Sequence, residues 1–129
     1  MVQAHKISTG KSDIWIDEEG ILRLYPVEGE EIDLEEAKRC FRIYRQLGCC
    51  EHKRPQLIVT NGNSSLTAEA RNYAARHGQD CFTASAVVSN SLAIRFLVNF
   101  FNSFYKSPVP FRMFKTEEEA LEWLKGFRT

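Results

Sequence analysis

The sequence lacks any apolar run approaching the roughly 20 residues that a bilayer-crossing helix needs, so no membrane span is expected. It also lacks an excess of either charge: 17 Lys and Arg balance 17 Asp and Glu, for a net charge of +0. A neutral chain exerts no general pull on nucleic acid or anionic membrane, and no nucleic-acid partner is expected. The opening residues, Met1-Val2-Gln3-Ala4-His5-Lys6, carry no apolar core of export-signal length. The expected compartment is therefore the reducing cytoplasm. Cys40, Cys49, Cys50 and Cys81 are expected there as free thiols.

Signatures of chemistry are also missing. No Gly-Lys-Ser/Thr ending marks a phosphate loop, and there is no Gly-x-Ser-x-Gly elbow or dinucleotide fingerprint. Cys49-x-x-His52 has the right residue types for a metal but only part of a set, because structural zinc takes four ligands. Cys40 and Cys81 could complete it only if the fold gathered them. His5, His52 and His77 fall in termini, loops or helix ends, and no local signature pairs one of them with a cysteine nucleophile. The expectation is a chain with no catalytic residue, no metal and no cofactor, and hence not an enzyme.

What is present is enough for one globular unit. The chain has 129 residues, 43% hydrophobic and 26% charged, close to the averages of soluble domains. A single domain over 1–129 is expected. Ser12-Asp13-Ile14-Trp15-Ile16 and Ile21-Leu22-Arg23-Leu24-Tyr25 alternate on either side of Asp17-Glu18-Glu19-Gly20, the pattern of an antiparallel hairpin. Pro26 then ends regular pairing or marks an edge. Asp33 caps a helix over Leu34–Leu47, with Glu36 giving a capping-box-like pattern and Gly48 closing it.

Beyond Pro55, the run Gln56-Leu57-Ile58-Val59-Thr60 reads as a strand buried on both faces. Asn61-Gly62-Asn63-Ser64-Ser65 is a polar loop, and Thr67 caps a helix running to about Arg76. Phe82–Val88 is a second buried strand, 92–105 a strongly apolar helix and Phe111–Phe114 a short strand. Thr116 with Glu119 opens a last helix. The order β-β-α-β-α-β-α-β-α predicts an α/β mixed sheet with a leading antiparallel hairpin, parallel core strands and about four helices.

This order, from about Ile14 to Phe127, resembles the STAS domain, specifically the SpoIIAA-like (STAS/SEC14-type) bacterial proteins. The resemblance is carried by the leading hairpin and by the helix after Ile32. It continues in Gln56–Thr60, which leads through a polar loop into a short helix. It closes with Phe111-Arg112-Met113-Phe114 followed by Thr116-Glu117-Glu118-Glu119-Ala120-Leu121-Glu122-Trp123-Leu124, similar to the family's strand, then acidic-capped helix with Ala-x-x-Trp-Leu. The resemblance implies a phosphorylatable serine at the start of the second helix in one branch, where phosphate switches partner binding. The matching stretch here is Asn61 to Thr67. That branch has an aspartate directly before the serine, where this chain has Asn63-Ser64. For the other branches the resemblance implies an apolar or lipid-like ligand, or no assigned role.

Two places are therefore candidates for function. Asn61, Asn63, Ser64, Ser65 and Thr67 lie where a parallel strand gives way to a helix. Such a loop can take an anion, a partner or a phosphate, or can serve simply as turn and cap. The second is the helix 92–105. At 100° per residue its apolar side chains, Phe96, Phe100, Phe101 and Phe104 among them, spread over roughly 200°, about twice what one core face needs. They could meet a neighbouring helix, a second copy of the chain or an apolar small molecule. The resulting expectation is a non-catalytic regulatory or protein-interaction module that forms a homodimer. The alternative is a binder of an apolar small molecule or lipid beside 92–105.

Overall fold

The computed structural model describes residues 6–60, 65–89 and 109–127. Six strands form one sheet: β1 (Ile7–Ser8), β2 (Ser12–Ile16), β3 (Leu22–Pro26), β5 (Arg54–Val59), β7 (Phe82–Val88) and β8 (Phe111–Phe114). They stand in the order β1-β2-β3-β5-β7-β8. The β1–β2 and β2–β3 pairs are antiparallel, and β3–β5, β5–β7 and β7–β8 are parallel. A separate parallel pair joins β4 (Glu31–Ile32) to β6 (Ser65–Leu66). The helices among the described residues are α1 (Leu34–Gln46), α2 (Ala68–His77) and α3 (Glu117–Lys125), with a 3₁₀ turn at Gly78–Asp80. The fourth anticipated helix, 92–105, lies outside the described residues. The architecture is thus the mixed sheet with a leading hairpin and parallel core that the sequence implies.

Local chemistry accounts for the hairpin. Asp17 Oδ1 accepts from the amides of Glu19 and Ile21, and the Gly20 amide donates to the Asp17 carbonyl. Gly20 has φ +83, a conformation that favours glycine, and a Cβ there would displace the Arg54 guanidinium, which lies 2.8 Å from that position. Ile21, expected to begin the returning strand, instead closes this turn, and β3 starts one residue later. Pro26 is its last residue and pairs with Ser12. The parallel register with β5 covers only Leu22 to Leu24, so no ladder bond on that side needs the N–H that proline lacks.

A bulge decides how the two faces of the sheet are filled. Arg54 pairs with Phe82 but Pro55 pairs with Ala84, which leaves Thr83 as the extra residue of β7. Phe82 therefore points to the α1 side, where it joins Ile14, Leu22, Leu24, Phe41 and Tyr44. Past the bulge, Ala84, Ala86 and Val88 pack with Leu57 and Ile21 against Ala120 and Leu124 of α3. The helix can come close because β7 offers alanines there. Ala120 and Leu124, four residues apart, make the buried stripe of α3, while Trp123 lies against Phe114 and Phe127 at its margin.

On the α1 side one polar chain is built into the core. Ser85 Oγ donates to Gln56 Oε1 at 2.9 Å, and Gln56 Nε2 donates to the Tyr44 hydroxyl at 3.2 Å. All three side chains are buried, and each bond spares a group the cost of being buried unpaired. Burial pushes the Tyr44 phenol well above its ordinary value, so it remains a neutral hydrogen-bonding group.

If α3 depends on the small residues of β7, Ala86→Leu should overpack that contact. The expected loss is about 1–3 kcal/mol of unfolding free energy in urea denaturation. An unchanged midpoint would contradict the close helix-to-sheet approach.

Candidate functional site

The carboxyl ends of β3, β5, β7 and β8 lie along one edge of the sheet, the edge at which open α/β sheets place ligands and partners. Two loops on this edge are tied together by the short β4–β6 ladder. Glu31 stands opposite Ser65 and Ile32 opposite Leu66, and the Thr67 amide donates to the Ile32 carbonyl at 3.1 Å. The next residue on each strand is a helix cap. Asp33 Oδ1 accepts from the Glu36 amide at 2.9 Å at the start of α1. Thr67 Oγ1 accepts from the Ala70 amide at 3.1 Å at the start of α2. The ladder therefore sets two helix N-termini side by side, with Ile32, Ala37 and Ala70 buried between them.

Charge at this edge is organised around α1. The hydrogen bond from the Glu36 amide holds the Asp33 carboxyl below its ordinary range, and Lys11, 4.0 Å away, adds to the effect. Glu36 does not complete the capping box that its position suggested. Its side chain is fully buried and accepts from Arg39 at 2.7 Å, from the Thr9 hydroxyl and from the Cys40 thiol at 3.8 Å. Thr9 Oγ1 also accepts from the amides of Lys11 and Ser12, so Glu36 pins the β1–β2 turn to α1. Burial, with the Glu36 carboxylate adding to it, pushes the Cys40 thiol up to about 12.

Across the rest of the edge, the Thr60 amide and hydroxyl both donate to the Val88 carbonyl, at 3.1 and 2.8 Å. The Ser89 amide donates to the Phe114 carbonyl at 3.0 Å. Val27 and Leu66, 39% and 46% exposed, are the exposed large apolar side chains among the described residues, and both belong to the two loops that the ladder joins. At the other margin, Tyr25 donates to Glu117 at the start of α3 and accepts from Arg23 at 3.0 Å. Burial and then the bond to Glu117 raise the Tyr25 phenol above its ordinary value.

A family model described as a domain of unknown function, DUF7793, matches residues 14–128. The chain belongs to the DUF7793 family. A solved structure of an uncharacterised DUF3478-family protein with a SpoIIAA-like fold, from Shewanella loihica PV-4, superposes with a TM-score of 0.62. It is 16% identical and covers 96% of this chain and 97% of its own, so the likeness is one of fold. A protein of unknown function from Arthrobacter sp. FB24 is 27% identical over 92% of this chain and 95% of its own, with a TM-score of 0.28. No curated protein matches the chain.

Of the residues singled out in sequence, the DUF7793 chain shows Thr67 as the cap of α2 and Ser65 as the first residue of β6. Asn61, Asn63 and Ser64 lie outside the described residues, as do Phe96, Phe100, Phe101 and Phe104. Cys49 is buried while Cys50 and His52 are exposed, and no group of three metal-capable side chains forms among the described residues. No helix among them is long and apolar enough to cross a membrane. The described clefts lie away from the ladder. One of about 480 Å³ is lined by Lys53, Gln79, Asp80, Phe82, Thr83 and Val109. The other, about 580 Å³, runs along α3 and β8 between Arg112, Phe114, Glu118, Glu119, Glu122 and Trp123.

Thr67→Ala should cost about 1 kcal/mol in chemical denaturation, and Thr67→Ser only a few tenths of that. Equal losses would mean that the hydroxyl does not cap α2. The Asp33 cap carries a pH signature. Its folded value lies below the unfolded one, so its stabilisation is present above the unfolded value and fades as pH falls through the folded one. Between about pH 6 and about pH 3, the melting temperature of Asp33→Asn should fall less steeply than that of the parent chain. Parallel curves would contradict the charged cap.

Proposed function

We propose that this chain is a non-catalytic regulatory or protein-interaction module of the STAS/SpoIIAA-like type. It acts through protein contacts and self-associates as a homodimer at the ladder edge of the sheet. The observation that carries this reading is the position of Val27 and Leu66. Both are exposed apolar side chains on the loops that feed α1 and α2, where a partner desolvates them on docking. The family resemblance puts its partner-responsive serine stretch, Asn61 to Thr67, in the second of those loops.

The surroundings suit a second copy of the chain. Glu28, Glu31, Glu35 and Glu69 are exposed around the two loops, while Arg39 and Arg42 of α1 and Arg71 of α2 are exposed behind them. A surface carrying both signs can complement itself across a two-fold axis. The alternative of an apolar small molecule beside 92–105 draws on residues outside the described ones. The described clefts carry charged side chains on their walls, so protein contact is the stronger reading.

Sedimentation equilibrium tests it. The parent chain should show a concentration-dependent monomer–dimer equilibrium at tens of micromolar. Leu66→Asp and Val27→Asp should weaken it by roughly tenfold or more, about 1.4 kcal/mol, with unchanged circular dichroism and melting temperature. A parent chain that stays monomeric would overturn self-association. Variants that dimerise as well as the parent would move the contact away from this edge.

A further inference from the structure

At the opposite, amino end of the parallel strands, two sulfurs meet. Cys50 lies in the turn between α1 and β5, and Cys81 lies between the 3₁₀ turn and β7. Their Sγ atoms are 3.9 Å apart, although 31 residues separate them in sequence. All four cysteines are free thiols, and only Cys50 is exposed; Cys40, Cys49 and Cys81 are buried.

Such a pair has an entrance and a backstop. Cys50 is the thiol that a dissolved oxidant meets, and the sulfur at its back is Cys81. Their backbone settings also differ. The Cys81 amide donates to the Gly78 carbonyl at 3.0 Å and its carbonyl accepts from the Arg54 amide at 3.1 Å, so the 3₁₀ turn and the first residue of β5 both hold it. Cys50 sits in a run of turns after Gly48, which has φ +83. Closing from 3.9 Å to a disulfide bond of about 2.05 Å needs a shift of about 2 Å, within the reach of such a turn. Arg45, exposed in the last turn of α1, places a positive charge within electrostatic range of both sulfurs.

We propose that Cys50 and Cys81 form an oxidant-responsive dithiol that a hydroperoxide closes to an intrachain disulfide. In the first step the Cys50 sulfur attacks the peroxide. An S–O bond forms, the O–O bond breaks, and the departing oxygen takes up the Cys50 thiol proton and leaves as water or, from an alkyl hydroperoxide, as the alcohol. In the second step Cys81 attacks the resulting Cys50 sulfenic acid. An S–S bond forms, the S–O bond breaks, and water leaves with the Cys81 proton. Two thiols lose two electrons in all and the peroxide gains them. Burial, with Cys50 adding to it, pushes the Cys81 thiol up to about 12, so Cys81 waits as a thiol until Cys50 has been oxidised. The burial of Cys40 and Cys49, pushed up to about 12 and about 11, holds those two out of the exchange. The bridge would lock the α1–β5 turn against the start of β7, beside the cleft lined by Lys53, Asp80 and Phe82.

The test treats the reduced, full-length chain with a small excess of hydrogen peroxide, blocks remaining thiols with an alkylating agent under denaturing conditions, and reads intact mass and peptide links. The expected result is a loss of about 2 Da before blocking. Two alkylations rather than four, a Cys50–Cys81 link and reversal by dithiothreitol complete it. The link should survive in Cys49→Ser, which removes the neighbouring thiol from the same peptide. In Cys81→Ser, a dimedone adduct should accumulate on Cys50. In Cys50→Ser, all three remaining thiols should be alkylated after the same dose. A link to Cys40 or Cys49, a Cys50–Cys50 dimer, sulfinic acid on Cys50 without a bridge, or no reaction at all in the parent chain would overturn the proposal.

Discussion

Ile32 and Leu66 stand opposite each other in a parallel ladder only two residues long, and the carboxyl end of the parallel sheet is organised by that pairing. Because each strand runs directly into a helix cap, the register that aligns Ile32 with Leu66 also aligns Asp33 with Thr67. Two helix N-termini are thereby set abreast, and their first turns close over Ile32, Ala37 and Ala70. A slip of one residue would turn Ile32 outward and separate the caps. The same pairing presents Leu66 to solvent, although an apolar residue in this position could have been buried. Stability and exposure at this edge thus come from one short element.

The body of the sheet supports that arrangement from behind. The bulge at Thr83 lets a single strand serve two cores, giving an aromatic to the α1 side and alanines to the α3 side. Glu36 then fixes α1 to the β1–β2 turn from inside. A carboxylate buried this deeply holds its place because Arg39, Thr9 and Cys40 together satisfy it. Losing one of these partners would leave charge or acceptor capacity uncompensated. The two ends of the parallel strands differ in consequence. The carboxyl end carries capped helices and exposed apolar residues, and the amino end carries the paired thiols.

Much of this was legible in the sequence. Alternation gave Ser12–Ile16, and Phe82–Val88 and Phe111–Phe114 read as a buried and a short strand, with the bounds that the structure has. Asp33, Thr67 and Thr116 were readable as caps because side-chain oxygens before helical runs have few other uses. Errors of register came from turns and bulges: Ile21 is apolar and buried but belongs to the hairpin turn. Pro55, read as punctuation, sits inside β5, where the bulge tolerates its missing N–H. The β4 and β6 strands left no trace, since two residues cannot display a period. Glu36 looked like half of a capping box, and only tertiary contacts from Thr9 turn it inward. The approach of Cys50 to Cys81 has no local signature, because the sheet order creates it.

The central claim is that the edge built on the β4–β6 ladder is a protein-contact surface. Hydrogen–deuterium exchange of the parent chain at low and high concentration tests it most directly. The account predicts that slowing on concentration is confined to amides around Val27–Asp33 and Leu66–Ala70. Exchange that does not depend on concentration, or slowing confined to residues away from these two loops, would contradict it.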